Sequence, residues 1–70
     1  MKRELSPRER EIVQLISLGY SYDNIAATLK ISNRTARFHT DNAKRKLRAL
    51  TLPHLVALYL EKQYDSTAHS

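Results

Sequence analysis

The chain has 70 residues, of which 41% are apolar and 27% charged, and its formal net charge is +5. This length allows one small domain with a single core, and it excludes a two-domain enzyme with a cleft between its domains. Cysteine is absent and Gly19 is the only glycine, which excludes a disulfide framework, a Cys-based zinc finger and a glycine-rich phosphate loop. The longest apolar run, residues 55–60, is too short to span a bilayer, and the N-terminus has no apolar signal segment, so a cytoplasmic protein is predicted.

The positive charge is concentrated in one part of the chain. Residues 1–29 carry equal numbers of acidic and basic side chains, and residues 49–70 have a net charge of −1. Residues 30–48 carry seven basic side chains against Asp41 alone, which leaves +6 in this stretch. Such a concentration indicates a polyanionic partner, either nucleic acid or an anionic membrane surface, although a merely solvated basic face would have the same composition.

Two amphipathic helices are predicted before the basic stretch. Ser6 begins a Ser-Pro-Arg-Glu capping signal, and the apolar residues after it recur at helical spacing as far as Gly19, which supplies a left-handed stop. Ser21 is the predicted cap of a shorter helix over about residues 22–29. Only about two or three residues separate this helix from a third one capped by Ser32, so the chain must turn sharply, as in a helix-turn-helix.

The third helix, predicted over residues 33–49, has two different faces. Within an arc of about 100°, mostly small or apolar residues recur: Ala36, His39, Thr40, Ala43 and Leu47. The opposite side carries Arg34, Arg37, Phe38, Asp41, Arg45 and Arg48. Arginine can bond guanine edges and phosphates with two donors, and Phe can pack against a thymine methyl group, so this side is the predicted DNA surface.

A fourth helix is predicted over about residues 53–64, followed by a flexible polar tail over 65–70. Its apolar residues cover more of the helix surface than one core can bury. Part of that surface is therefore expected to meet a partner, most simply a second copy of the chain. The alternative is that Leu58 or Leu60 simply stays exposed. The chain is thus predicted to be one all-α domain of four helices, with a core over about residues 5–64.

An ordered set of short motifs runs through most of the chain. The motifs are Leu5-Ser6-Pro7-Arg8-Glu9-Arg10-Glu11, Gly19-Tyr20-Ser21, Ile25-Ala26, Leu29, Ile31-Ser32, Thr35-Ala36-Arg37-Phe38-His39, Asn42 and Lys46-Leu47. In this order and at these spacings the chain resembles the LuxR-type helix-turn-helix domain, the DNA-binding output module of quorum-sensing receptors and many bacterial response regulators. The stretch Arg37-Phe38-His39, with Asn42-Ala43, is more similar to the quorum-receptor branch of the family.

The resemblance implies that the third helix is the recognition helix and enters the major groove, while the fourth forms a two-fold dimer contact. It places these residues against bases: Arg34, Arg37, Phe38, Asp41 and Arg45. It places these residues at phosphates or at the helix entry: Ser32, Asn33, Thr35, Asn42 and Lys46. The candidate dimer residues are Leu55, Leu58, Tyr59 and Lys62. The implied function is a bacterial transcription regulator that binds paired half-sites of double-stranded DNA as a weak homodimer, without cofactor or metal, with RNA polymerase as a further candidate partner.

Four residues depart from the pattern of that family. Asp41 stands where a basic or amide residue is common, and its carboxylate would either accept from a cytosine N4 donor or repel phosphate. Lys30 and Arg48 replace common glycines in the two turns, and Leu52 replaces a common arginine. None of these changes alters the apolar pattern on which the fold prediction rests.

No arrangement of residues in the sequence indicates an enzyme. His39, His54 and His69 are spaced 15 residues apart, without the i, i+4 spacing of a helical metal site, and His39 is expected to pack inside with a hydrogen-bonded ring.

Two alternatives to a DNA-binding regulator are considered: an anti-activator that pairs with a longer relative through residues 53–64, and the DNA-reading region of a sigma factor. Binding to a membrane surface is disfavoured, because the apolar faces of the predicted helices are needed for the core and no long one remains to insert into a membrane. A regulator of this size would be either the output domain of a longer receptor or a stand-alone protein controlled by its abundance.

Overall fold

The computed structural model describes residues 4–68, with side chains as far as Lys62, and this range contains four α-helices and no β-strand. The helices are α1 (Pro7–Ser17), α2 (Tyr22–Leu29), α3 (Asn33–Leu47) and α4 (Leu52–Ala68). Their number and order confirm the predicted all-α class. The short connection between α2 and α3 gives these two helices the relation of a helix-turn-helix.

Serine caps begin the first three helices, as the sequence predicts. At α1 the Ser6 Oγ accepts the Glu9 N–H at 3.2 Å, while the Glu9 carboxylate accepts the Ser6 N–H at 2.9 Å. At α2 Ser21 and Asn24 form the same reciprocal pair, at 3.1 and 3.3 Å. Ser32 caps α3. Each helix start therefore gains acceptors for backbone donors that have no partner inside the helix.

Left-handed backbone conformations follow the ends of the first three helices. Gly19, with φ of 96°, follows the C-cap of α1, which confirms its predicted role as a stop. Lys30 ends α2 with φ of 58°, and Arg48 ends α3 with φ of 57°. Because Arg48 leaves the helical conformation, α3 ends at Leu47 and not at the predicted residue 49. Both basic residues occupy positions at which glycine would be unstrained.

The start of α4 is organised by a histidine. The Thr51 Oγ1 accepts the His54 N–H at 3.2 Å, as an N-cap does. In return the His54 Nδ1 accepts the Leu50 N–H at 3.1 Å. These two hydrogen bonds satisfy donors on both sides of the helix start, and α4 begins at Leu52, one position earlier than predicted.

The end of α4 lies later than the sequence indicates. The helix continues to Ala68, whereas the prediction ends it near residue 64. The tail predicted for residues 65–70 is therefore helical over 65–68, and residues 69–70 lie outside the described range. Within the residues that the structure describes, no helix is both long enough and apolar enough to cross a membrane.

Two groups of buried side chains meet on α1. The first group comprises Val13, Ala43, Leu55 and Tyr59, and the second comprises Ile12, Ile25 and Ala36. The buried positions of α3 are Ala36, Thr40 and Ala43, so the other helices supply most of the core volume. One side of α3 is thus braced by the rest of the domain, and the other side is left to solvent.

Candidate nucleic-acid interface

The solvent side of α3 carries the five residues predicted to face DNA bases. All five are exposed: Arg34, Arg37, Phe38, Asp41 and Arg45. Phe38 has 59% of its surface exposed, which is high for a large apolar side chain. An aromatic ring held in solvent among arginines offers an apolar contact, such as one to a thymine methyl group. The exposure agrees with the predicted arrangement, and the base that each residue contacts stays a prediction.

Three of the predicted phosphate-contacting residues lie together at the start of α3: Ser32, Asn33 and Thr35. The Ser32 Oγ accepts the Thr35 N–H at 2.9 Å and donates its hydrogen to the Thr35 Oγ1 at 2.9 Å. The Thr35 hydroxyl therefore keeps its own hydrogen for another acceptor, whereas the Ser32 hydroxyl is used by the cap. The N–H groups of Asn33 and Arg34 have no acceptor within the helix, because they belong to its first turn.

Arg37 makes two side-chain contacts, one within α3 and one with α2. Its Nε donates to the Asn33 Oδ1 at 2.7 Å, and its guanidinium carbon lies 4.6 Å from the centre of the Tyr22 ring, within cation–π distance. The Asn33 amide nitrogen in turn donates to the Asp23 Oδ1 at 2.7 Å. The Asn33 side chain, predicted to contact phosphate, thus connects α2 with the base-facing side of α3.

The sequence does not single out Tyr22 or Asp23 as part of the site. They are the first two residues of α2, directly after its serine cap, and their types fit an ordinary helix start. Their contacts with Asn33 and Arg37 join residues from different helices. Only the packing of the two helix starts against each other reveals them.

Farther along α3, Asn42 and Arg45 interact with each other. The Arg45 guanidinium donates to the side-chain oxygen of the half-buried Asn42, which holds the guanidinium along the helix surface. Asp41 is exposed, and no described Lys or Arg lies within ion-pair distance of its carboxylate. Both alternatives for Asp41, a cytosine contact and repulsion of phosphate, stay predictions.

Lys46, predicted to contact phosphate, is paired with a carboxylate of α1. Its Nζ lies 2.8 Å from the Glu9 Oε1, and the same oxygen accepts the Ser6 N–H. The Glu9 side chain is nearly buried, whereas that of Lys46 is partly exposed. An ammonium group has three donors, so the bond to Glu9 leaves others for a phosphate. Lys46 therefore has a definite role inside the protein, in addition to the predicted one.

The ion pair changes the acidity of Glu9. Burial raises the pKa of the Glu9 carboxyl, but the hydrogen bonds from Lys46 and Ser6, with the charge of Lys46, more than offset this effect. The pKa therefore lies below its ordinary value of 4.5, and Glu9 is ionised at neutral pH. The capping box is readable from the sequence, whereas the partner Lys46 comes from 37 residues away and is brought there by packing.

Two of the four residues predicted to form a dimer contact are buried in the core of the chain itself. Leu55 is 0% exposed and Tyr59 6%, and the Tyr59 hydroxyl donates to the Gln14 Oε1 at 2.9 Å. The prediction is wrong for these two residues, because the apolar pattern of α4 does not reveal which side faces α1 and α3. Leu58 is half-buried and Lys62 exposed, and their role in a dimer stays a prediction.

The histidines have local contacts. His39 is half-buried, which corrects the prediction that it packs inside, and its ring meets the Phe38 ring edge-on with the centroids 5.7 Å apart. His54 belongs to the start of α4, where it accepts the Leu50 N–H. In the part of the chain that the structure describes, no group of three or more His, Asp or Glu side chains is placed to hold a metal ion.

The fold and the site together define a helix-turn-helix domain of the DNA-binding type, in which α3 has one braced side and one exposed basic side. Residues 3–59 match the GerE family, described as bacterial regulatory proteins, luxR family. The chain belongs to this family, which consists of DNA-binding transcription regulators and not of enzymes. The resemblance seen in the sequence is thereby confirmed.

Several curated relatives are similar to the chain over most of its length. The transcriptional activator protein CarR of Pectobacterium carotovorum is 40% identical over 57 residues, which are 81% of this chain and 23% of CarR. The transcriptional regulatory protein FixJ of Rhizobium meliloti is 41% identical over 56 residues, 80% of this chain and 28% of FixJ. The transcriptional regulatory protein MctR of Rhizobium johnstonii is 44% identical over 57 residues, with shares of 81% and 27%. The chain thus spans about a quarter of the length of these relatives. No solved structure matches the chain significantly.

Proposed function

We propose that this chain binds double-stranded DNA sequence-specifically, with α3 in the major groove, and thereby regulates transcription. The observation that carries the proposal is the division of α3 into a buried side and an exposed side rich in arginine. The surrounding stretch, residues 30–48, holds seven basic side chains against one acidic one, and such a charge density attracts the phosphate backbone. A major groove, about 12 Å wide, admits an α-helix that the rest of its domain supports from behind.

The exposed side of α3 supplies the base contacts in this proposal. Arg37 bonds the edge of a guanine, since its guanidinium is already fixed above the first turn of the helix. Phe38 packs against a thymine methyl group, and Asp41 accepts from a cytosine amine. Arg34 and Arg45 lie towards the two ends of the surface, where each reaches a base edge or the adjacent backbone.

The phosphate contacts come from the borders of this surface. At the start of α3 the free N–H groups, the positive end of the helix dipole and the Thr35 hydroxyl suit a phosphate oxygen. Near the other end Asn42 and the remaining donors of Lys46 bond the phosphate backbone. Ser32 acts through its cap, which fixes the geometry of the first turn.

A homodimer is proposed to form through the exposed side of α4. Leu58, half-buried, and Lys62, exposed, lie one turn apart on the same side of this helix, whereas Leu60, which is 48% exposed, lies on another side. A two-fold axis through this contact would bring two copies of α3 to half-sites about 10 bp apart, centre to centre. The apolar area is small, so the dimer would be weak in solution, and DNA carrying both half-sites would bring the copies together.

The proposal also includes a partner protein and a location in the cell. RNA polymerase is a candidate partner, because relatives such as CarR are named transcriptional activators. A cytoplasmic location follows from the proposed function, since bacterial DNA lies there. Both elements depend on DNA binding and are tested only after it.

The experiment that tests DNA binding is selection of duplexes from a random pool at physiological salt. The selected duplex and a scrambled one are then titrated by fluorescence anisotropy. The wild-type chain is expected to prefer the selected duplex by about 100-fold or more. Equal affinity for both duplexes would contradict the proposal. Absence of any duplex binding at low salt, together with self-association or pairing with a longer relative through α4, would favour a protein-interaction module instead.

Three variants separate the proposed roles. Arg37→Ala is expected to lose about 1–3 kcal/mol on the selected duplex and little on the scrambled one. Lys46→Ala is expected to weaken both duplexes alike and to lower the slope of affinity against salt by about one. Arg10→Ala removes one exposed positive charge from α1 and serves as the control. If Arg37→Ala and Lys46→Ala gave the same losses on both duplexes, the assignment of base and phosphate contacts would be wrong.

A further inference from the structure

We infer that Tyr22 is a positioning residue for DNA recognition, which holds the Arg37 guanidinium ready for a guanine before DNA arrives. The inference rests on the proposed function and adds a residue outside α3 to the determinants of sequence preference. Tyr22 is half-buried and packs against the core group of Ile12, Ile25 and Ala36. The Arg37 guanidinium carbon lies over its ring, 4.6 Å from the ring centre. One part of the Tyr22 side chain is thus fixed by packing against the core, and the face of its ring contacts the guanidinium of Arg37 on the recognition helix.

A second restraint acts on the same guanidinium. Arg37 Nε donates to the Asn33 Oδ1 at 2.7 Å, and Asn33 is itself held by the Asp23 carboxylate at 2.7 Å. A long side chain with a single contact can still sweep through many rotamers, and ordering it on binding costs entropy. Two contacts from different helices restrict the Arg37 side chain in the free protein, so less of this cost falls on DNA binding.

The restraints also decide how Arg37 can read a base. Side chains on a helix lean towards its N-terminus, and the bond to Asn33 fixes the guanidinium above the first turn of α3. Residues at the N-terminal end of a recognition helix contact base edges. With Nε committed to Asn33, the two terminal nitrogens remain to bond guanine O6 and N7. Tyr22 therefore helps to set the position in the groove at which a guanine is read.

Two other roles for Tyr22 make different predictions. Its hydroxyl group could contact a phosphate directly, and in that case Tyr22→Phe would weaken the binding of every duplex. Its ring could serve the core alone, and in that case Tyr22→Leu would lower stability without changing the preference between duplexes. A positioning role requires the ring and not the hydroxyl group, and it acts only through Arg37.

The contact is tested first without DNA. In the free wild-type chain, NMR is expected to show the side-chain protons of Arg37 shifted upfield by the ring current of Tyr22. Tyr22→Phe should keep this shift, whereas Tyr22→Leu should abolish it while circular dichroism still reports a folded helical chain. An unshifted Arg37 in the wild-type chain would overturn the inference, irrespective of any result with DNA.

The second measurement uses the duplex selected for the wild-type chain and its scrambled control. Tyr22→Leu is expected to weaken the selected duplex about three- to tenfold, the range expected for ordering one long side chain, and to leave the scrambled duplex unchanged. Tyr22→Phe should match the wild type on both. In an Arg37→Ala background, Tyr22→Leu should have no further effect, because the residue that it positions is absent.

The outcomes distinguish the inference from the function on which it rests. A wild-type chain with no preference among duplexes contradicts the proposed function. A selective wild-type chain whose preference survives Tyr22→Leu contradicts only the inference. Equal losses for Tyr22→Phe and Tyr22→Leu, or a Tyr22→Leu effect that persists in the Arg37→Ala background, would also overturn the positioning role.

Discussion

Replacing Glu9 by Gln tests how the start of α1 supports the DNA-facing helix. Gln has the same length and can still accept the Ser6 N–H, but it has no charge to offer the Lys46 ammonium 2.8 Å away. A hydrogen bond to a charged group is worth about 1.5–3 kcal/mol, and an exposed ion pair about 0–1 kcal/mol. Because Glu9 is nearly buried while Lys46 is partly exposed, we expect Glu9→Gln to cost about 1–2 kcal/mol.

This loss is large for so small a domain. Stability scales at roughly 0.05–0.15 kcal/mol per residue, so a 70-residue chain has on the order of 4–10 kcal/mol in total. Lys46→Met should cost a similar amount, because it leaves the buried Glu9 carboxylate without its cation. The double variant should lose less than the sum of the two single losses, since both remove the same interaction.

The effect should also depend on pH, with a definite sign. The pKa of Glu9 in the folded chain lies below its ordinary value of 4.5, so the ionised carboxylate favours the folded state. This contribution is fully present above about pH 4.5 and is lost as the pH falls through the lowered pKa. Gln does not titrate. The stability difference between the wild-type chain and Glu9→Gln should therefore be largest near neutral pH and should shrink in acid.

The assay is urea unfolding followed by circular dichroism at neutral and acidic pH. Glu11→Gln is the matched control, because Glu11 lies in the same helix and pairs with Arg8 at 3.3 Å on the exposed surface. Its loss should stay below about 0.5 kcal/mol. If Glu9→Gln cost no more than Glu11→Gln at neutral pH, or if its cost did not shrink in acid, the reasoning from the ion pair would be refuted.

Three further predictions concern the core, a turn and the surface of α4. Ile25→Ala should cost about 2–5 kcal/mol in urea unfolding, because Ile25 is fully buried between α1 and α3; a loss below about 1 kcal/mol would contradict this. Lys30→Gly should raise the melting temperature by relieving the left-handed strain, worth about 1 kcal/mol, whereas Lys30→Ala should leave it nearly unchanged. Leu58→Lys should weaken self-association in sedimentation, because Leu58 lies on the side of α4 proposed for the contact, and unchanged association would exclude Leu58 from the contact.

The sequence alone determined where the first three helices begin and where the first one ends. Ser6, Ser21 and Ser32 predict the starts of the first three helices, and each hydroxyl accepts a backbone N–H in the structure. Gly19 predicts the stop of α1, and its φ of 96° agrees. The two faces of α3 are also readable, since its buried positions recur at helical spacing. Caps, stops and periodicity involve residues a few positions apart, so the chain encodes them directly.

Only the tertiary structure decided which side of α4 is buried and which residues pair with the charged side chains. The apolar residues of α4 cover several sides, so periodicity could not assign Leu55 and Tyr59 to the core. The pairing of Lys46 with Glu9, and of Arg37 with Tyr22, joins residues far apart in sequence. The local sequence does not favour one partner of a charged side chain on a helix over another. The actual partner depends on how the helices pack, which no local pattern contains.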